Sequence, residues 1–258
     1  MINLNHFINK IENAKSLDFG DIFNQSIELF KKVWLQGLVV YLLNMVLMLP
    51  FILIMYVPMI VLGVLGQESF DGGLGLEGMG ILAISAMIVL IMVMILGVTT
   101  ISVALKGAYY RMLKHKDLGL DASDDYFFFL KSKYLKKTFM LSLSIIGMMI
   151  LGYALCVLPV FYLMVPLYYM VITYAMNPDL SNSDIIKIGF KLGNKKWFLS
   201  FGLIIVAGIL AGLVGVLMCF IGIYVTQQFS DIPAYYVYKS VVGLKEQDAI
   251  DEIGTPIE

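Results

Sequence analysis

The sequence predicts an all-α integral membrane protein of six transmembrane helices, arranged as three repeats of an interfacial amphipathic helix plus two spans. Three observations predict it. Of the 258 residues 60% are hydrophobic and only 14% charged, against about 25% charged in a soluble domain. The uncharged residues gather in four long tracts, 33–66, 79–105, 138–176 and 197–230. All eighteen basic residues fall in four segments: 1–32, 106–137, 187–196 and 239–245.

A hydrocarbon layer of about 30 Å takes about 20 helical residues at ~1.5 Å each. Membrane barrels instead alternate apolar and polar residues in strands of about 10, a pattern absent here. Tract 33–64 would reach about 48 Å as one helix, so it is expected to be a single span near 36–64, bent at Pro50 and Pro58. A re-entrant hairpin is the alternative. "GQESFDGGLGLEGMG" (66–80), with three acids and no base, is a loop, and 79–105 is the second span. Tract 138–177 holds two spans with a break at Pro159, and 197–241 folds back near "CFIG" (219–222). Basic segments collect on the cytoplasmic side. The loops at 66–78, 158–160 and 218–222 contain no Lys or Arg, so six spans alternate with both termini cytoplasmic. That places the chain in the cell inner membrane. The first sixteen residues have no apolar stretch of the kind a cleavable signal needs, so the first tract is expected to remain.

The repeat rests on three similar starts: "DFGDIFNQSIELFKKVW" (18–34), "DASDDYFFFLKSKYLKKTF" (121–139) and "SNSDIIKIGFKLGNKKWF" (181–198). Each opens with a capping side chain three residues before an Asp (Asp18/Asp21, Asp121/Asp124, Ser181/Asp184), the spacing that satisfies free N–H groups at a helix start. Each closes with a lysine pair: Lys31 and Lys32, Lys136 and Lys137, Lys195 and Lys196. In the first, Ile22, Phe23, Ser26, Ile27, Phe30, Val33 and Trp34 share a face. Such helices lie in the inner headgroup layer, and the six lysines are expected to face lipid phosphates. Repeat units run about 18–114, 121–177 and 181–240, forming a single domain over 1–245 with a flexible acidic tail at 246–258.

"DFGDIFNQSIELFKKVWLQG", "SDIIKIGFKLGNKKWF" and "CFIGIYVTQQFSDIPAYYVYKSVVG" resemble the bacterial membrane domain joined to glycerophosphodiester phosphodiesterases and its stand-alone relatives of unknown function. In those fused enzymes catalysis resides in a separate soluble barrel, so the resemblance implies no phosphodiesterase activity here. Short proteins similar to this one also carry a beta-carotene monooxygenase name. Such an oxygenase would hold iron through histidines. The chain has two, His6 and His115, both in surface segments, and no G-x-S-x-G, H-E-x-x-H or phosphate loop. No catalytic residue, cofactor or metal ligand is assigned, and a net charge of −1 gives no field for nucleic acid.

One acid falls inside a span. Asp231, in "YVTQQFSDIPAYY", has Gln227 four residues earlier on the same helical face and Gln228 beside it. Pro233 frees backbone carbonyls one turn back. Thr99, Thr100, Ser102 and Lys106 of the second span, with Gln36 and Asn44 of the first, would complete a polar inner vestibule in which Lys106 is the counter-ion of Asp231. The competing expectation is a wetted, structurally paired Asp231 near the headgroups. Ser200, Ala207, Gly208, Ala211, Gly212 and Gly215 form small-residue faces for packing within the chain or in a homodimer. Tyr109, Tyr110, Tyr235, Tyr236 and Tyr238 with Trp34 and Trp197 are expected to form an inner aromatic belt. Cys156 and Cys219 sit near outer span ends. The function expected is a scaffold or accessory in membrane and lipid homeostasis, with membrane lipids and a possible protein partner. The alternative is a transporter or channel using the vestibule.

Overall fold

The computed structural model describes residues 4–65, 81–155, 157–218 and 221–244. The acidic loop, both cysteines and the acidic tail lie outside the described residues. Those described form helices and short 3-10 segments, with no strand among them. In chain order they are α1 (Leu4–Glu12), α2 (Phe19–Leu65), α3 (Ile81–Asp117), α4 (Ser132–Ala154), α5 (Leu158–Met176), α6 (Asn182–Lys195), α7 (Trp197–Leu217), α8 (Ile221–Thr226) and α9 (Ile232–Val242). The 3-10 segments are Phe128–Leu130 and Gln227–Asp231.

Among the described residues five helices are long and apolar enough to cross a membrane: α2 through α5 and α7. The segment expected as a sixth crossing is broken into α8, the 3-10 segment and α9. α2 has 47 residues and α3 has 37, about 70 and 55 Å, so each outruns a 30 Å hydrocarbon layer. The backbone of α2 is helical through Pro50 and Pro58, which excludes the hairpin alternative.

The three similar starts fold in three ways. At the first, Asp18 Oδ1 accepts from the Asp21 N–H at 2.9 Å, and the helix then runs unbroken past the lysine pair. Its buried stripe is Ile22, Ser26, Leu29 and Val33, while Trp34 is exposed. At the third, Ser181 caps α6 through the Asp184 N–H at 3.1 Å, and the chain breaks at Lys196 before α7. The second is not an amphipathic helix. Residues 121–127 are irregular and α4 begins only at Ser132. Three consecutive phenylalanines explain it: fully buried Phe129 packs on Gly107 of α3 and 4.5 Å from the Tyr174 ring, a pose a surface helix would not permit. Asp124 accepts from Gln36 Nε2 at 3.0 Å instead of capping, and burial, aided by that carboxylate, pushes the Tyr126 hydroxyl up.

α6 also departs from the flat interfacial placement. It folds back along the second half of α5, burying Ile185, Ile188, Gly189, Leu192 and Gly193. A Cβ on Gly189 would stand 3.0 Å from the Met170 nitrogen, and one on Gly193 2.9 Å from Pro166 Cα, so only glycine permits this approach. α1 lies across α6 and α9, tied by Glu12 to Lys191 at 2.7 Å.

The small-residue faces of α7 divide. Ser200, Ala207 and Ala211 are buried and Gly215 meets Ile223, whereas Gly208 and Gly212 have no atom within 4 Å of a would-be Cβ. The tyrosines are not an interfacial belt: Tyr109, Tyr110, Tyr235 and Tyr238 are 0% exposed and Tyr236 5%. They fill the contact between the end of α3, α5 and α9. Only Trp34 and Trp197 keep open edges.

Candidate functional site

Lys106 of α3 places Nζ 3.0 Å from Asp231 Oδ1 and 4.8 Å from the centre of the Tyr168 ring on α5. Three elements therefore meet at one charge pair. The Asp231 side chain is 3% exposed and that of Lys106 is 36%, so the acid is enclosed and the base forms its open side.

The backbone of 227–231 decides which neighbours join. In a 3-10 helix side chains three apart eclipse. Gln228 and Asp231 therefore point inward together, both buried, while Gln227 is exposed and its carbonyl accepts from Ser230 Oγ at 3.0 Å. The expectation that Gln227 shares a face with Asp231 assumed 3.6 residues per turn, and it is corrected by the tighter winding. Pro233 also acts differently. It lies in the first turn of α9, where its missing N–H costs nothing, and the Ile232 N–H reaches the Phe229 carbonyl.

Most other vestibule candidates spend their polar atoms locally. Thr99 and Thr100 donate to the Ile95 and Leu96 carbonyls at 2.7 Å, inside their own helix. Gln36 is turned to Asp124, and Ser102 is half-buried on α3. Asn44 Oδ1, Gln36 Oε1, Gln228 Oε1 and the hydroxyls of Tyr109 and Tyr110 are buried without a hydrogen-bond partner among the described residues. Gln228 and Tyr109 converge on Gly37 of α2, where a Cβ would lie 3.0 Å from Gln228 Cβ and 3.4 Å from the Tyr109 hydroxyl.

A second polar centre stands at the end of α3. Asp117 accepts from Tyr235 and Tyr236 hydroxyls at 2.7 and 3.0 Å and from Lys239 Nζ at 2.7 Å, clamping α9 onto the end of α3. The repetition of Tyr-Tyr before a lysine in "PAYYVYK" was the available clue.

Of the six lysines expected at headgroups, Lys137 donates to the Pro178 and Leu180 carbonyls and Lys196 to that of Lys15. These two are internal ties, because the loop carbonyls they meet have no helical donor. Lys31 pairs with Glu28 at 2.6 Å, and Lys32, Lys136 and Lys195 stay exposed. His6 and His115 lie on different helices, and among the described residues no three His, Cys, Asp or Glu side chains gather as a metal site would need.

The apolar, multi-helix architecture defines a membrane protein. No protein family, curated protein or solved structure matches the chain.

Proposed function

We propose that the chain is a non-enzymatic multi-pass protein of the bacterial inner membrane, a scaffold or accessory in membrane and lipid homeostasis. In this reading 221–242 is a sixth, broken crossing, both termini are cytoplasmic, and the chain is a stand-alone relative of the membrane domain joined to glycerophosphodiester phosphodiesterases. The observation that carries it is the enclosure of Asp231. An acid 3% open, held by Lys106 of α3 beside the Tyr168 ring of α5, supports a brace between three elements rather than the lining of a path.

A transporter using the same cluster is the second reading. The partnerless buried oxygens of Gln228, Tyr109 and Tyr110 favour it, since such groups normally hold water or a ligand. Reconstitution in proteoliposomes separates the two. The scaffold reading expects vesicles inert to solute uptake and lipid scrambling, together with a protein partner that co-purifies from membranes. Uptake or scrambling by the native chain that is lost in Asp231→Ala overturns it. A reporter at Gly72 must face the cell exterior, and a cytoplasmic reporter there would refute the topology.

A further inference from the structure

The irregular residues 121–127 and the 3-10 turn after them lie against the late turns of α3 and close a cavity of about 200 Å³. Its floor is one face of α3: Ala108 and Met112, both buried, with Arg111 and His115 one turn apart. Its roof is Ala122, Ser123, Asp125 and Phe128. Two of these positions are alanines, one on each side, and that is where the room comes from. Arg111 is set by Phe128, whose ring centre lies 3.6 Å from the guanidinium carbon. Stacking uses the flat face of the guanidinium and keeps its N–H donors in the plane, the geometry that grips two oxygens of one oxyanion. Asp125, the one acid in this lining, is ion-paired with Lys131, whose Nζ stands 5.7 Å from the same ring. On balance the wall is cationic: Arg111 and Lys131 against Asp125, with the His115 imidazole and the Ser123 hydroxyl beside them.

The geometry points to a binding site for a terminal phosphate, either free phosphate and small soluble phosphomonoesters or the headgroup of a phosphatidic-acid-type lipid. This goes beyond the scaffold reading and does not depend on it. Three features select the occupant. Charge and donors call for an oxyanion: a planar guanidinium fork, an imidazole and a hydroxyl face one small space. Volume limits what else enters. At roughly 30 Å³ per water-sized group the cavity holds about seven such groups, of which a phosphate fills five, so a nucleoside or a choline stays outside. Placement allows access. Arg111 and His115 lie past the uncharged tract 79–105, so neither source has to enter the hydrocarbon. Ser123 alone of the lining is exposed, and the rest of the ligand leaves at that edge.

The test uses the full chain in dodecyl maltoside, a detergent without phosphate, and follows hydrogen exchange over residues 121–130 together with the unfolding temperature. Inorganic phosphate is expected to slow exchange in that stretch saturably and to raise the unfolding temperature, while sodium chloride at matched ionic strength does neither. Arg111→Gln weakens the effect about tenfold or more. Because that change also removes the stack on Phe128, Ser123→Glu is the second variant. It sets a carboxylate at the exposed rim, leaves the stack intact and weakens binding to a similar extent. Short-chain phosphatidic acid added to the micelles, with the matching phosphatidylcholine as control, separates the sources. Protection by inorganic phosphate assigns the site to a soluble ligand, and protection by phosphatidic acid alone assigns it to a lipid headgroup. Both results keep the phosphate site. Protection by neither, protection reproduced by sodium chloride or phosphatidylcholine, or binding unchanged in Arg111→Gln or in Ser123→Glu overturns it. None of these results alters the vesicle and co-purification outcomes, so the scaffold reading stands or falls separately.

Discussion

The two halves of α3 carry similar apolar side chains and meet opposite surroundings. Ile88, Val89, Met92, Val93 and Ile95 are 42–62% exposed, whereas Val103, Leu105, Met112 and Leu113 are 0–5% exposed, on the helix that packs against α2, α4 and α5. α5 repeats the contrast: Leu158 is 77% exposed and Phe161 56%, while everything from Val165 to Pro166 and from Tyr169 to Met176 is buried. The exposed half leaves its apolar surface for a bilayer to cover, the buried half is covered by protein, and the residue types do not record which. What distinguishes them is the polar residue set among the apolar ones. Lys106, Asp117, Thr138 and Asn177 occur only where another protein element can answer them.

The largest expected effect comes from the charge pair at the border of the two zones. Lys106→Met leaves a buried carboxylate without its cation, a loss of about 3–5 kcal/mol in folding stability measured by denaturant or thermal unfolding in detergent. Asp231→Asn is milder, about 1–2 kcal/mol, because the surviving Lys106 is a third open and can reach solvent. Equal losses in the two variants would show that the pair is wetted from both sides.

Gly193→Ala tests the inward zone by volume alone. Its Cβ would press on the Pro166 backbone, so a loss of about 1–3 kcal/mol is expected. Gly208→Ala on the outward face of α7 has open space and should be neutral or slightly stabilising, since alanine is the better helix former by about 1 kcal/mol. If both substitutions cost the same, the division of α7 and α6 into lipid-facing and protein-facing surfaces is wrong.

Much of this architecture was legible because long uncharged tracts and basic segments are coarse, additive signals. The capping pairs Asp18/Asp21 and Ser181/Asp184 read correctly because a cap is satisfied within one turn and needs no distant partner. The Lys106–Asp231 contact, 125 positions apart in sequence, was within reach for a different reason: two charges among so many apolar residues have few other places to go. Winding was not legible. Whether 227–231 takes 3.6 or 3.0 residues per turn depends on how Phe229 seats between Phe23 and Phe30, and that reversed the roles of Gln227 and Gln228. The tyrosines misled because Tyr suits a membrane interface and a buried hydrogen-bonded site equally well. Only the position of Asp117 and Asn177 tells them apart, and both are remote in the chain.

Asp117→Asn sharpens the comparison from the buried side. It keeps the shape of the clamp but removes the charge that accepts from Tyr235, Tyr236 and Lys239. With that acceptor side chain 11% exposed, a loss of about 1–3 kcal/mol is expected, together with faster hydrogen exchange across α9. Exchange in α4, which the clamp does not touch, should stay unchanged.

The smallest effect is expected where the inner zone meets water. The Lys191 ammonium, hydrogen-bonded to Glu12 and aided by Lys195, holds the Glu12 carboxyl below its ordinary value. A carboxylate depressed in the folded state stabilises it above its unfolded pKa, about 4.3, and that contribution disappears as pH falls through the lower folded value. The tie between α1 and α6 is therefore complete at neutral pH and weakens only in acid. Because both side chains are half exposed, salt should erode it at any pH. Limited proteolysis between α1 and α2, followed from pH 7 into the acid range, should rise in the native chain and be flat in Lys191→Ala. An acid response that persists in Lys191→Ala would assign the sensitivity to another group and leave α1 held by Phe7 and Ile11 alone, the two side chains it buries against the core.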